Sequence, residues 1–328
     1  MGSYLETLTD PSFRGQIVIQ TFPTIGNYGV IPEDFESKGP GLSGYVVREL
    51  CDFPSNFRCE GTLEAWLAER GIPVLTGVDT RALTRRIRSA GVMNAAILTK
   101  EPEDLAAAAE ALKALPFHPS VEDVTCEAVL PGGEGKHRVV LWDFGAKANI
   151  RRELEKRGCS VTVVPADTTA EAILSLAPDG LMLSNGPGDP ADDVGIIAEL
   201  KELCAHKLPI FGICLGHQLL ALSQGASTAK LKYGHRGANQ PAKDLVTGLS
   251  YMTSQNHGFA VENDTLPPNA RLRFINANDG TCEGIDYTDM PAFSVQFHPE
   301  ACGGPLDTRF LFDRFVEMME VNEHAAEA

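Results

Sequence analysis

Between residues 138 and 223 the chain alternates short apolar runs with stretches patterned for helix, which leaves few architectures open to it. The pattern predicts strands over Val139 to Asp143, Ser160 to Val164, Gly180 to Leu183 and Pro209 to Ile213. It predicts helices over Ala148 to Arg157, Thr169 to Leu176 and Val194 to Cys204, with another from His217 onward. Short strands without a polar face, separated by helices, belong in a parallel sheet covered on both sides. The expected fold class is therefore α/β: a C-terminal, mostly parallel sheet with helices on both faces, preceded by a smaller mixed α/β domain. In such sheets ligands bind beyond the carboxyl ends of the strands.

One strand end carries Phe211-Gly212-Ile213-Cys214-Leu215-Gly216-His217-Gln218. Glycines two residues to either side of Cys214 form Gly-x-Cys-x-Gly between strand and helix, the cysteine form of the nucleophile elbow. The thiol then sits at a helix N-terminus, where the dipole and free N–H groups favour a thiolate. The plain alternative, a structural cysteine in a tight turn, does not account for both glycines.

A nucleophilic thiol needs a base. Phe293 to Glu300, Phe-Ser-Val-Gln-Phe-His-Pro-Glu, reads as a short apolar strand ending in a histidine and a carboxylate. His298 would take and return the proton, and Glu300 would hold the ring. Of the other histidines, His118, His137, His206 and His324 lie in polar, linker-like or terminal contexts and are expected to be solvated. His217, His235 and His257 stand beside glycines in motif-like segments. A third element, Leu183 to Pro190, is a Gly/Pro turn directly after a strand. Its amides could form an oxyanion hole with that of Leu215. A phosphate loop fits it less well, because no Gly-Lys-Ser/Thr follows and Pro187 and Pro190 lack donors.

Before residue 115 short strands mix with helices, expected over Thr62 to Arg70 and over Thr80 to Ala90, the latter capped by Asp79 and stopped by Gly91. An alanine-rich helix is expected over Glu101 to Leu115, followed by Pro116, Pro119 and Pro131-Gly132-Gly133. The domain reading is 1–115, a linker over 116–137, a second domain over 138–321 and a tail over 322–328. With 28 Lys+Arg against 44 Asp+Glu the net charge is −16, which disfavours nucleic acid or an anionic membrane as partner. No stretch reads as a signal peptide or membrane span. The eight cysteines form no Cys-x-x-Cys pair, so no metal site is expected, and a reducing, cytoplasmic setting is.

Asn185-Gly186-Pro187-Gly188-Asp189-Pro190, Gly212 to Gln218 and His298-Pro299-Glu300 together resemble the class I, triad-type glutamine amidotransferases. Further segments narrow the resemblance to the small, glutamine-hydrolysing subunit of carbamoyl phosphate synthetases. These are Leu8 to Ser12, Tyr28-Gly29, Asp79 to Arg85, Asp143 to Lys147, Gly234 to Pro241 and Gln255 to Ala260. The resemblance implies that Cys214 attacks the side-chain amide of L-glutamine, with His298 as acid and base and Glu300 orienting it. It further implies that Gly186, Gly188, Leu215, Gln218, Asn256, Gly258, Phe259 and the N-terminal Ser12 contact the substrate. It implies no cofactor in this chain, with ATP and magnesium on a large synthetase subunit that takes up the ammonia for arginine and pyrimidine synthesis. The glutaminase of another pathway, such as anthranilate or guanylate synthesis, and a catalytically silent scaffold on the same fold remain as alternatives.

Such small subunits usually begin with further β-strands. Met1 to Tyr4 starts almost inside the first motif, so the N-terminal domain is expected to be truncated, or its start site placed too late, with strands left unpaired. Cys302, just past the triad, is expected to be a bystander.

Overall fold

The computed structural model describes residues 3–116 and 119–327. The chain forms two compact units, Met1–Pro119 and Ser120–Ala328.

The first unit holds α1 (Tyr4–Thr9), β1 (Ile17–Gln20), β2 (Gly44–Val47), α2 (Leu63–Glu69), β3 (Val74–Leu75), α3 (Thr80–Ala90) and α4 (Leu105–Ala114). Its three strands pair in parallel in the order β1-β2-β3. Tyr4, Leu8, Tyr45, Val47, Leu63 and Leu67 close a core around them. Asp79 caps α3 by accepting the Ala82 amide at 2.9 Å, and Gly91 ends it at φ 98°. The alanine-rich helix begins at Leu105 rather than Glu101, because the Asp104 carboxylate takes the Ala107 amide and fixes the N-cap there.

The second unit is built from β4 (His137–Trp142), α5 (Ala148–Glu155), β5 (Cys159–Val164), α6 (Ala170–Ser175), β6 (Gly180–Leu183), α7 (Val194–Ala205), β7 (Ile210–Ile213) and α8 (Leu215–Ser223). It continues through β8 (Thr228–Asp244), β9 (Ser250–Val261), β10 (Ala270–Asn276), β11 (Cys282–Tyr287), β12 (Ala292–Val295) and α9 (Phe310–Glu327). One sheet joins all nine strands in the order β5-β4-β6-β7-β12-β11-β10-β8-β9. The first five are parallel and form the βα sheet the sequence predicts; the rest continue it antiparallel.

Alternation along β4 explains the two covered faces. Val140 and Trp142 enter a core with residues of α6, α7 and α8, while Val139 and Leu141 enter another with α5 and α9. The stretch read as a linker over 116–137 joins this unit from Ser120: Val121 is buried in the first of these cores and Leu130 bridges Val163. The expected tail continues α9, whose backbone stays helical to Glu327. His137 is buried instead of solvated, since it opens β4 in register with Cys159.

Close packing accounts for the elbow glycines. A Cβ on Gly216 would lie 2.5 Å from the Leu183 carbonyl oxygen, and one on Gly212 would lie 2.8 Å from that of Gly216. We expect Gly216→Ala to push α8 off β6 at a cost of about 1–3 kcal/mol. Urea unfolding should register that loss, and alkylation of Cys214 by iodoacetamide should slow in the same variant.

Candidate active site

The pairing of β7 with β12 builds the site. Their parallel register places Ile213 opposite Val295, so Cys214 and the segment Gln296 to Glu300 leave the sheet at the same edge. Cys214 then turns the chain into α8 at φ 53° and ψ −103°, a left-handed backbone that a residue with a Cβ seldom adopts. Hydrogen bonds from the Cys214 amide to the Val295 carbonyl (2.9 Å) and from the Gly216 amide to that of Ser184 (3.0 Å) hold the turn. Leu215 follows as the first helical residue, whose amide has no acceptor within the helix.

The strand expected over Phe293 to Glu300 ends at Val295, and His298 and Glu300 lie on the turn beyond it. There the His298 amide donates to the Ser254 carbonyl at 2.9 Å, which ties the turn to β9. Its ring Nδ1 meets Glu300 Oε1 at 2.7 Å, and among the described residues Nε2 has no hydrogen-bond partner. The Cys214 thiol contacts the Asn256 carbonyl at 3.8 Å. Burial pushes the His298 imidazole down, but Glu300 and Cys214 outweigh it and raise its pKa to about 10. Burial likewise pushes the Glu300 carboxyl up, and Lys147 and His298 overcome that to lower it to about 2. Imidazolium and carboxylate thus coexist across the pH range in which enzymes work.

Lys147 is the member that sequence reasoning missed. Its Nζ lies 3.2 Å from Glu300 Oε1, and both side chains are buried. It stands at the N-cap of α5 within the Asp143 to Lys147 motif, but a lone lysine after a strand reads as solvated. Only its distant ionic partner marks it as buried. Asn149, on the same helix, donates to the Glu300 carbonyl.

The Gly/Pro turn lies against this arrangement. Asn185 Oδ1 accepts the Lys147 amide at 3.0 Å, and a Cβ on Gly186 would lie 2.8 Å from Leu215 Cδ2. Gly186 therefore runs beside the first residue of α8, while Gly188 turns the loop at φ 102°. Gln218 Nε2 donates to the Phe259 carbonyl at 2.7 Å and to Gln296 Oε1 at 2.8 Å. The structure thus gathers Cys214, His298, Glu300, Leu215, Gly186, Gln218, Asn256 and Phe259, with Gly258 beside them on β9. Ser12 belongs to the N-terminal unit, where its amide and hydroxyl both donate to Asp10 Oδ1.

His217 lies beneath the elbow, its Nδ1 2.8 Å from Ser294 Oγ, and burial lowers its pKa to about 3. His206 is exposed, as expected. His118 and the side chain of His324 lie outside the described residues. Among the described residues, His235, His257 and Glu283 place possible metal-ligating atoms within 4.8 Å of one another. Each of the three is engaged in hydrogen bonds. Cys302 is exposed and accepts from Asn149 Nδ2 at 3.1 Å.

The model of the class-I glutamine amidotransferase family matches residues 140–318, and that of the carbamoyl-phosphate synthase small chain, CPSase domain, matches residues 1–97. A carbamoyl phosphate synthase small chain from Symbiobacterium thermophilum is 50% identical over 329 residues, covering 98% of this chain and 90% of the relative. The chain belongs to the carbamoyl phosphate synthase small chain family. Another small chain, from Bacillus cereus, is 51% identical over 321 residues, covering 98% of this chain and 87% of its own. Among solved structures, a candidate GMP synthase protein from Thermoplasma acidophilum superposes with a TM-score of 0.52 at 24% identity, covering 60% of this chain and 100% of its own. That likeness concerns the fold alone. Among the described residues of this small chain, no helix is long and apolar enough to cross a membrane.

The Glu300 carboxylate is the main charge holding His298 protonated. Glu300→Gln should therefore lower the histidine pKa and leave a neutral ring beside the thiol at pH 7. Iodoacetamide alkylation of Cys214, followed from pH 5 to 10, should slow by about 10-fold or more at neutral pH. An unchanged profile would remove Glu300 from this role.

Proposed function

We propose that the chain hydrolyses L-glutamine through Cys214, His298 and Glu300 and passes the ammonia to a large, ATP-dependent synthetase subunit. The observation that carries this reading is the elbow cysteine, near enough to His298 to raise its pKa, beside a buried His298–Glu300–Lys147 chain inside the residues that match the amidotransferase family. The Cys214 sulfur attacks the carboxamide carbon of glutamine, and the amides of Leu215 and the Gly186 to Gly188 turn receive the oxyanion. His298 gives its proton to the leaving nitrogen, so ammonia departs and a γ-glutamyl thioester remains. Water then adds to the thioester with His298 as base, which releases glutamate and restores the thiol. Glu300 holds the imidazole Nδ1–H, and Lys147 keeps that carboxylate ionised.

Gln218, Asn256, Gly258 and Phe259 form the side of the pocket that reads the amino-acid end of the substrate. A zwitterion needs paired donors and acceptors, and these backbone and amide groups supply both. ATP and magnesium belong to the large subunit in this reading, the product is carbamoyl phosphate for arginine and pyrimidine synthesis, and the complex works in the cytoplasm. The match of residues 1–97 to the small-chain domain favours this over other glutamine-dependent pathways.

Cys214→Ser tests the reading in the reconstituted complex with the large subunit. Glutamine-dependent carbamoyl phosphate synthesis should fall on the order of 10³-fold or more, while synthesis from ammonium chloride persists. Retained glutamine-dependent synthesis in this variant would overturn the mechanism.

A further inference from the structure

Behind the glutamine side of the site runs a buried polar network that the mechanism above leaves unused. It starts at the surface with Asp279, whose side chain is 46% exposed and whose Oδ2 lies 2.8 Å from His235 Nε2. The other nitrogen of His235, Nδ1, lies 3.3 Å from Glu283 Oε1, which also accepts from Asn276 Nδ2 at 3.1 Å. Glu283 Oε2 accepts from Gln255 Nε2 at 2.8 Å, and that amide also reaches Thr253 Oγ1 at 3.0 Å. Gln255 Oε1 lies 3.1 Å from His257 Nε2, and His257 Nδ1 lies 2.7 Å from the Phe259 carbonyl; burial lowers the His257 pKa to about 3, so the neutral ring has one N–H to donate and contacts the other oxygen without a hydrogen bond. That carbonyl is the acceptor of Gln218 Nε2. The chain of contacts therefore ends on a group that holds a substrate-binding side chain.

Strand geometry makes the connection direct. Gln255 and His257 are buried on β9 two residues apart and project to one face, toward Glu283. Asn256 lies between them and offers its carbonyl to the Cys214 thiol. β9 is held on its other side by β8, in the register His235 opposite His257 and Gly237 opposite Gln255, with a register shift on either side of that short paired segment. Backbone pairing alone therefore fixes this part of β9 weakly, and side chains must complete its placement.

A fully buried carboxylate is costly, and replacing such an ionic group with apolar residues is often neutral or stabilising. Stability alone does not explain Glu283. Its carboxylate Oε2 holds Gln255 on β9, and Oε1 holds Asn276 on β10 and the histidine that pairs with β9. Burial would lower the His235 pKa, but Glu283 and Asp279 outweigh it and raise it, while burial raises the Glu283 carboxyl in spite of His235, Asn276 and Gln255.

We propose that Glu283, held by His235, is a positioning residue for glutamine: through Gln255 and His257 it fixes β9 where Asn256, Phe259 and Gln218 grip the substrate. It touches neither substrate nor the Cys214 sulfur, so its loss acts on binding before chemistry. The inference rests on the glutaminase reading and extends it to the specificity of the same site.

The test compares Glu283→Ala, Glu283→Gln and Asp279→Asn with the parent chain, each assembled with the large subunit. Glutamine KM and kcat are measured alongside iodoacetamide alkylation of Cys214 and the thermal midpoint. Glu283→Ala should raise KM by about 10-fold or more while kcat and the alkylation rate stay within about 3-fold, the pattern of lost substrate binding. Glu283→Gln keeps an oxygen for Gln255 and should recover part of that loss. Asp279→Asn, at the exposed end, should raise KM by roughly 2-fold to 5-fold with its midpoint unchanged. If Glu283→Ala does not fold, the other two variants decide. A KM unmoved in all soluble variants overturns the inference, as does a fall in kcat, alkylation and midpoint in step with the rise in KM. A parent that hydrolyses no glutamine would sink the glutaminase reading itself, which keeps the two failures apart.

Discussion

The backbone of Cys214 is the constraint on which the site depends. Holding a non-glycine residue at φ 53° and ψ −103° costs on the order of 1–3 kcal/mol, and the surrounding packing must offset it. Here the strand before it is central in the sheet, flanked by β6 and β12. The helix after it is pressed onto the Leu183 carbonyl so closely that only glycine fits at 216. The strain has a geometric product. It turns the thiol out of the sheet at the edge where the β12 strand delivers His298 and Glu300.

Charge is handled just as tightly. Three ionisable groups, Lys147, Glu300 and His298, lie in one buried line, and each is paired. A buried ion loses several kcal/mol of hydration, so removing one member leaves the next uncompensated. The second network, from Asp279 through His235 and Glu283 to Gln255, is separate and lies behind β9. Both meet near Cys214: one sets the proton-carrying ring, the other the strand whose Asn256 carbonyl faces the sulfur. In the proposed mechanism, chemistry and recognition thus have separate supports within one sheet.

Much of this was legible in the sequence because it is local. Period and length gave the βα units, the flanking glycines marked Cys214, and Asp79 and Gly91 bounded their helix to the residue. Groups whose meaning comes from distant partners were not legible. Lys147 reads as a surface lysine until Glu300 is brought to it, and His137 reads as solvated until β5 covers it. The long antiparallel extension formed by β8 to β11 also escaped, because its strands are half-polar and broken by register shifts. Neither hydrophobic period is clean there, so periodicity has little to detect. The stretch after residue 120 looked like linker for its prolines and glycines, although its few apolar residues, Val121 and Leu130, are what pack.

The central claim is that glutamine becomes covalently attached to Cys214 during turnover. Acid quenching of the parent chain and large subunit under steady-state hydrolysis of isotopically labelled glutamine, followed by peptide mass spectrometry, tests it directly. The account predicts a labelled γ-glutamyl adduct on the peptide containing Cys214, released by mild alkali as a thioester is. Label on a different residue, or steady turnover with no adduct at Cys214 in quenched samples of the parent, would contradict it.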